Sequence, residues 1–92
     1  MSEEAIKKRL TRAKQKAIEH FEAIGYRIVK SDNATFCFIA GRRREARFIR
    51  VVVDKITPAD LETVRDFEVP DGCTREIFCQ KDERFEIQEV KS

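Results

Sequence analysis

The sequence predicts one mixed α/β (α+β) domain with the element order α-β-β-β-α-β-β. Three observations carry that expectation. Ninety-two residues suit a single small domain, and no repeat, linker or low-complexity stretch divides residues 1–92. Apolar residues recur at three- and four-residue steps over residues 3–24, then change to the two-residue period of strands after Gly25. Thr57-Pro58-Ala59-Asp60 then restarts a helix inside the strand-like half.

Ile6, Leu10, Ala13, Ala17, Phe21 and Ile24 make one apolar stripe on the first helix. Ser2 caps its start and Gly25 supplies the left-handed stop. Lys8, Arg9, Arg12 and Lys16 fall opposite the stripe, as a solvated face rather than a nucleic-acid contact. Tyr26-Arg27-Ile28-Val29-Lys30 reads as a short, half-polar strand, and Ser31-Asp32-Asn33 as a turn, because Asp and Asn hydrogen-bond their own backbone.

Residues 35–40 are apolar on both faces, as a strand covered on both sides would be. Gly41-Arg42-Arg43-Arg44-Glu45 reads as a basic hairpin loop, and residues 48–53, rich in β-branched side chains, as a second central strand. In the second helix Thr57 caps, Pro58 takes the first helical position and Asp60 favours the dipole. Leu61, Val64 and Phe67 give it one narrow apolar stripe, which Pro70-Asp71-Gly72 ends. Residues 73–80 and 85–90 alternate as strands, joined at Lys81-Asp82-Glu83.

Composition narrows the function classes. Nineteen basic and 17 acidic side chains leave +2, but the balance is uneven. Residues 1–55 hold 14 basic and 7 acidic groups, a net +7, and residues 56–92 hold 5 and 10, a net −5. A bipolar chain can present a basic face to phosphate and stay dissolved. The longest uncharged run, residues 33–41, is far short of the ~20 apolar residues of a membrane helix. Residues 1–5 carry no signal-peptide pattern, and a cytoplasmic location is expected. Cys73 and Cys79 would lie ~20 Å apart on one strand, too far to bridge, which fits a reducing compartment. No C-x-x-C is present and His20 is the only histidine, so neither a zinc site nor a Ser-His-Asp arrangement is expected.

The element order resembles the restriction-endonuclease-like core of the PD-(D/E)xK superfamily, which includes archaeal Holliday-junction resolvases. Ala23-Ile24-Gly25-Tyr26-Arg27-Ile28-Val29 is similar to the helix-Gly-Tyr-strand entry of those proteins. Phe36-Cys37-Phe38-Ile39-Ala40-Gly41 looks like their second strand, and Arg47-Phe48-Ile49-Arg50-Val51-Val52-Val53-Asp54-Lys55 like the third. Residues 56–67 and Arg75-Glu76-Ile77-Phe78-Cys79 complete a likeness spanning roughly residues 5–90.

The resemblance implies a nuclease using an acid that opens the second strand and an acid-x-Lys late in the third, with Mg²⁺ polarising the phosphate. Here those positions are degenerate. Cys37 stands where the first acid would be, and placing the lysine at Lys55 puts Val53 at the second acid. Thiol and isopropyl groups are poor ligands for a hard cation, so no metal or cofactor is expected. Asp32, Asp54 and Lys55 are the candidates for a displaced Mg²⁺-dependent endonuclease or resolvase. Asp54 follows Val53 and would point to the opposite face unless a bulge turned it. Glu19 and Glu22 lie late in the first helix, whereas the resolvase helix glutamate would correspond to Thr11-Arg12.

The basic residues are then the main functional signal. Arg42, Arg43, Arg44, Arg47 and Arg50 form a hairpin-and-strand set suited to bidentate phosphate contacts. The expected function is a catalytically inactive nuclease-fold domain that binds nucleic acid or supports a nucleoprotein complex. The alternatives are the active metal nuclease and a protein-interaction or dimerisation module. In the last, residues 62–89 meet a basic partner, or the final strand, at a sheet edge, pairs with its copy. A double-stranded RNA-binding domain shares the first five elements but would stop at the second helix.

Overall fold

A computed structural model describes residues 2–31 and 35–91. Among them the expected order holds: α1 (Glu3–Ala23), β1 (Arg27–Lys30), β2 (Phe38–Arg42), β3 (Glu45–Val53), α2 (Pro58–Arg65), β4 (Cys73–Gln80) and β5 (Phe85–Glu89). Asp32 and Asn33, assigned to a turn, lie outside the described residues. The Ser2 hydroxyl accepts the Ala5 N–H at the start of α1. Gly25, at φ +96°, releases the chain into β1.

The strands form one sheet in sequence order, β1-β2-β3-β4-β5. Neighbours are antiparallel except β3 and β4, which run parallel from Ala46 beside Cys73 to Val53 beside Gln80. Parallel strands need a crossover, and α2 is carried by it. The two helices cover opposite faces. Ala13, Ala17 and Phe21 of α1 pack on Phe38, Ala40, Ile49, Val51 and Phe78. Val64 of α2 packs with Phe36, Ile77 and Val90, flanked by Phe48, Val52, Leu61 and Phe67. Phe36 meets the Phe67 ring edge-on at 5.0 Å.

Three boundaries differ from expectation. The β2–β3 ladder continues through Gly41 beside Ala46 and Arg42 beside Glu45, so the loop shrinks to Arg43 and Arg44. Residues 75–79 of β4 are buried without alternation, because β4 lies between β3 and β5 with a helix layer on either face. Ile6 and Ile24, the ends of the α1 stripe, are 53% and 45% exposed, and burial is concentrated at Ala13, Ala17 and Phe21. No helix among the described residues is long and apolar enough to cross a membrane.

Ala17 is fully buried, and its small side chain sets how closely α1 approaches the sheet. Ala17→Leu is expected to cost about 1–3 kcal/mol by overpacking, read as a lower urea midpoint. A midpoint unchanged from the parent would show that α1 rests more loosely than these contacts require.

Candidate nucleic-acid interface

Cys37, Val53 and Asp54 lie on the α1 side of the sheet, but among the described residues they bring no set of metal ligands together. Cys37 sits just before β2, where its N–H donates to the Ile49 carbonyl at 2.8 Å. Its Sγ accepts the Val51 N–H at 3.5 Å. Cys37 packs into the α1-side core, as Val53 does, while Arg50 faces the α2 side. Val53 lies two residues beyond Val51 along β3, roughly 7 Å at 3.3 Å per residue.

β3 ends at Val53, and Lys55 is exposed beyond it. Asp54 takes a left-handed φ of 71°. That turn breaks the strand alternation, and its carboxylate accepts from Arg9 of α1 at 2.5 Å. Asp54 therefore reaches the α1 side without a bulge, but as the partner of an arginine. Glu19 is exposed and accepts from Gln15, Glu22 is exposed, and Asp32 lies outside the described residues. Among the described residues no three His, Cys, Asp or Glu side chains are grouped to hold a metal ion.

The five arginines separate into two kinds. Arg47 donates from Nε to Glu76 at 2.7 Å and from Nη2 to the second Glu76 oxygen, and from Nη1 to the Tyr26 hydroxyl at 3.3 Å. Its guanidinium lies 4.7 Å over the Phe21 ring. Glu76 also accepts the Thr74 hydroxyl at 2.6 Å, and the Tyr26 hydroxyl donates to Glu45 at 2.8 Å. The Glu76 hydrogen bond holds the Arg47 proton well above the usual arginine range, outweighing burial, with Tyr26 adding to it.

On the other face Arg50 donates to Asp60 at 3.2 Å and to the Thr35 carbonyl at 2.9 Å. Asp60 closes the capping box that starts α2, accepting the Thr57 N–H and hydroxyl while the Thr57 oxygen accepts the Asp60 N–H. Burial pushes the Asp60 carboxyl up, but Thr57 and Arg50 outweigh it and hold it below its ordinary value. Arg42 lies 4.5 Å over Tyr26 and donates to the Ile24 carbonyl.

Arg42, Arg47 and Arg50, expected as phosphate contacts, each have a partner within the protein for the guanidinium: a ring, a carbonyl or a carboxylate. Arg43 and Arg44 differ. They form the β2–β3 turn, are exposed, and have no partner among the described residues. Glu45, which would offset them, is committed to Tyr26 and, at 3.6 Å, to Arg42. Tyr26, Glu76 and Asp60 were not singled out as site residues from sequence. The available signal was Arg75-Glu76 set against the apolar Ile77-Phe78-Cys79, a charge in a buried run that demands a partner.

Among solved structures the chain is similar to Hjc, a Holliday junction resolvase from the archaeal hyperthermophile Archaeoglobus fulgidus. The TM-score is 0.71 over 89% of this chain and 73% of that one, at 15% sequence identity. No family model and no curated protein matches the sequence. The likeness shows the restriction-endonuclease-like fold.

Two outcomes follow from the paired arginines. Glu76 is 6% exposed at its side chain, so Arg47→Ala strands a buried carboxylate and is expected to cost about 3 kcal/mol, whereas Arg47→Met with Glu76→Met recovers most of it. A loss under about 0.5 kcal/mol for the single change, the size expected of a surface arginine, would contradict the assignment. Asp60→Asn is expected to cost about 1 kcal/mol at pH 7. Because the folded carboxyl titrates lower than the unfolded one, the charged form contributes stability above pH 3.8, and that contribution fades as pH falls through the folded value. The gap between parent and variant should therefore narrow below pH 3.8, and a constant gap from pH 7 to 2 would show that the charge plays no part.

Proposed function

We propose that this chain is a nuclease-fold module that binds nucleic acid through its phosphate backbone and does not cleave it by a carboxylate-metal mechanism. The observation that carries the reading is the Arg43–Arg44 turn, two exposed guanidinium groups whose neighbouring carboxylate is engaged elsewhere. Guanidinium pairs suit phosphate oxygens and fix a backbone without reading its sequence.

The chemistry around Cys37 supports the second half of the reading. Its thiol lies in the α1-side core with Val51 and Val53, and the carboxylate on that side, Asp54, is already held by Arg9. A thiol, two isopropyl groups and a carboxylate paired with an arginine are a poor set for Mg²⁺, which takes oxygen ligands. Cys37, Cys73 and Cys79 are free thiols, which suits a reducing compartment such as the cytoplasm. The sheet edge at β5, where Phe85 is 42% exposed, favours a second reading as a module that pairs with its own copy, separable by light scattering.

The similar solved protein is a Holliday junction resolvase, so a four-way DNA junction is the first ligand to titrate, beside duplex and single strands. Binding at 50 mM salt that weakens steeply by 200 mM is expected, as counterion release requires. Arg43→Ala with Arg44→Ala should flatten the log–log salt slope by about 2. Absence of binding at low salt would overturn the reading. Mg²⁺- or Mn²⁺-dependent cleavage abolished by Asp54→Ala would replace it with the displaced-acid nuclease.

A further inference from the structure

A second cationic feature lies away from the Arg43–Arg44 turn. Along α1, Arg12 and Lys16 stand four residues apart, and Lys8 precedes Arg12 by four. Residues at that spacing share a helix face and rise about 6 Å per step, so the three cations run in one row. Arg12 and Lys16 have no partner among the described residues. Their row borders a cleft of about 150 Å³ between α1 and the C-terminal ends of the parallel strands β3 and β4. Ala13, Val53 and Gln80 form part of its lining, and Lys81 enters from the turn after β4.

We infer that this cleft binds a phosphate group, with Arg12, Lys16 and Lys81 as its donors. The inference rests on the nucleic-acid reading for one claim only, that the phosphate belongs to a polynucleotide backbone. The buried Ala13 leaves room between helix and sheet where a larger residue would close the gap. Arg12 supplies a planar fork for two phosphate oxygens, and Lys16 and Lys81 supply compact ammonium charges.

The acids nearby are already occupied or outnumbered. Asp54 is held by Arg9, and Lys81 meets Glu86 at 3.6 Å in an exposed pair worth little, which a phosphate can displace. Asp82, the carboxylate in the lining, is near enough to Arg9 to interact with its charge, and the Arg12–Lys16 pair exceeds it by one charge. A duplex carries one negative charge per about 1.7 Å of axis, so the row from Lys8 to Lys16, about 12 Å long, always lies within reach of several phosphates.

Two probes of the full chain test this. In ¹⁵N-resolved NMR, inorganic pyrophosphate should shift the amides of Ala13, Lys16, Gln80 and Lys81, and Arg12→Ala with Lys16→Ala should abolish those shifts. With a 16-base-pair duplex, the same double variant should flatten the salt slope by about 2, independently of the change at Arg43 and Arg44. Both substituted side chains lie on the helix surface and alanine favours helix, so an unchanged urea midpoint checks that the fold is intact. If duplex binding persists with its slope unaltered in the variant and pyrophosphate shifts nothing, the cleft is overturned and the nucleic-acid reading stands. If pyrophosphate shifts the cleft but no nucleic acid binds, the cleft stands as a site for a free phosphate compound and the nucleic-acid reading falls.

Discussion

Parallel pairing of β3 with β4 constrains everything around it. Two parallel neighbours cannot be joined by a tight turn, so the chain must leave the sheet, cross a face and return. The face opposite α1 is the one it crosses, with α2 in the crossover, and the middle of both strands is shielded from water. A charged residue in that shielded stretch then needs a partner within the protein, since an unpaired charge there is costly.

The arginines of β3 and β4 meet that demand while fastening α2 at both ends. Arg50 holds Asp60 at the start of the helix. Arg75, only 8% exposed, donates to the carbonyls of Arg65 and Phe67 where the helix stops, at 2.7 and 2.9 Å. An eight-residue helix is marginal by itself. Its persistence comes from Val64 in the second core and from these two straps, of which Arg75 also satisfies a carbonyl that the helix end leaves open. On the α1 face Arg47 and Glu76 play the corresponding part between the strands themselves.

Much of this was legible in the sequence, and what was not has a physical cause. Helix limits are written locally: Ser2, Gly25, Thr57, Pro58 and Asp60 act on neighbours a few residues away, and all of them act as read. The element order follows from the change of period at Gly25. The roles of Arg47 and Arg50 are not local. Arg47 becomes structural through an acid 29 residues later, and a strand arginine looks the same in sequence whether it faces solvent or a buried carboxylate. Register is equally hidden. Nothing in the run of valines says that Cys37 meets the Val51 N–H, or that Asp54 turns left-handed and leaves Lys55 beyond the strand. The hairpin tip shrank for the same reason, because Gly41 and Arg42 read as loop residues until cross-strand partners are assigned.

Arg43 holds a φ of 54°, in the left-handed region where a side chain with a Cβ costs roughly 1–2 kcal/mol more than glycine. The ladder on either side, Arg42 beside Glu45 and Gly41 beside Ala46, leaves that residue no room to relax. The conformational entropy of this turn is therefore lost when the chain folds rather than when a ligand arrives. An anion that meets Arg43 has only the guanidinium and its flexible stem left to order, so the tip is preorganised for capture and its backbone adds little to the entropic cost of binding.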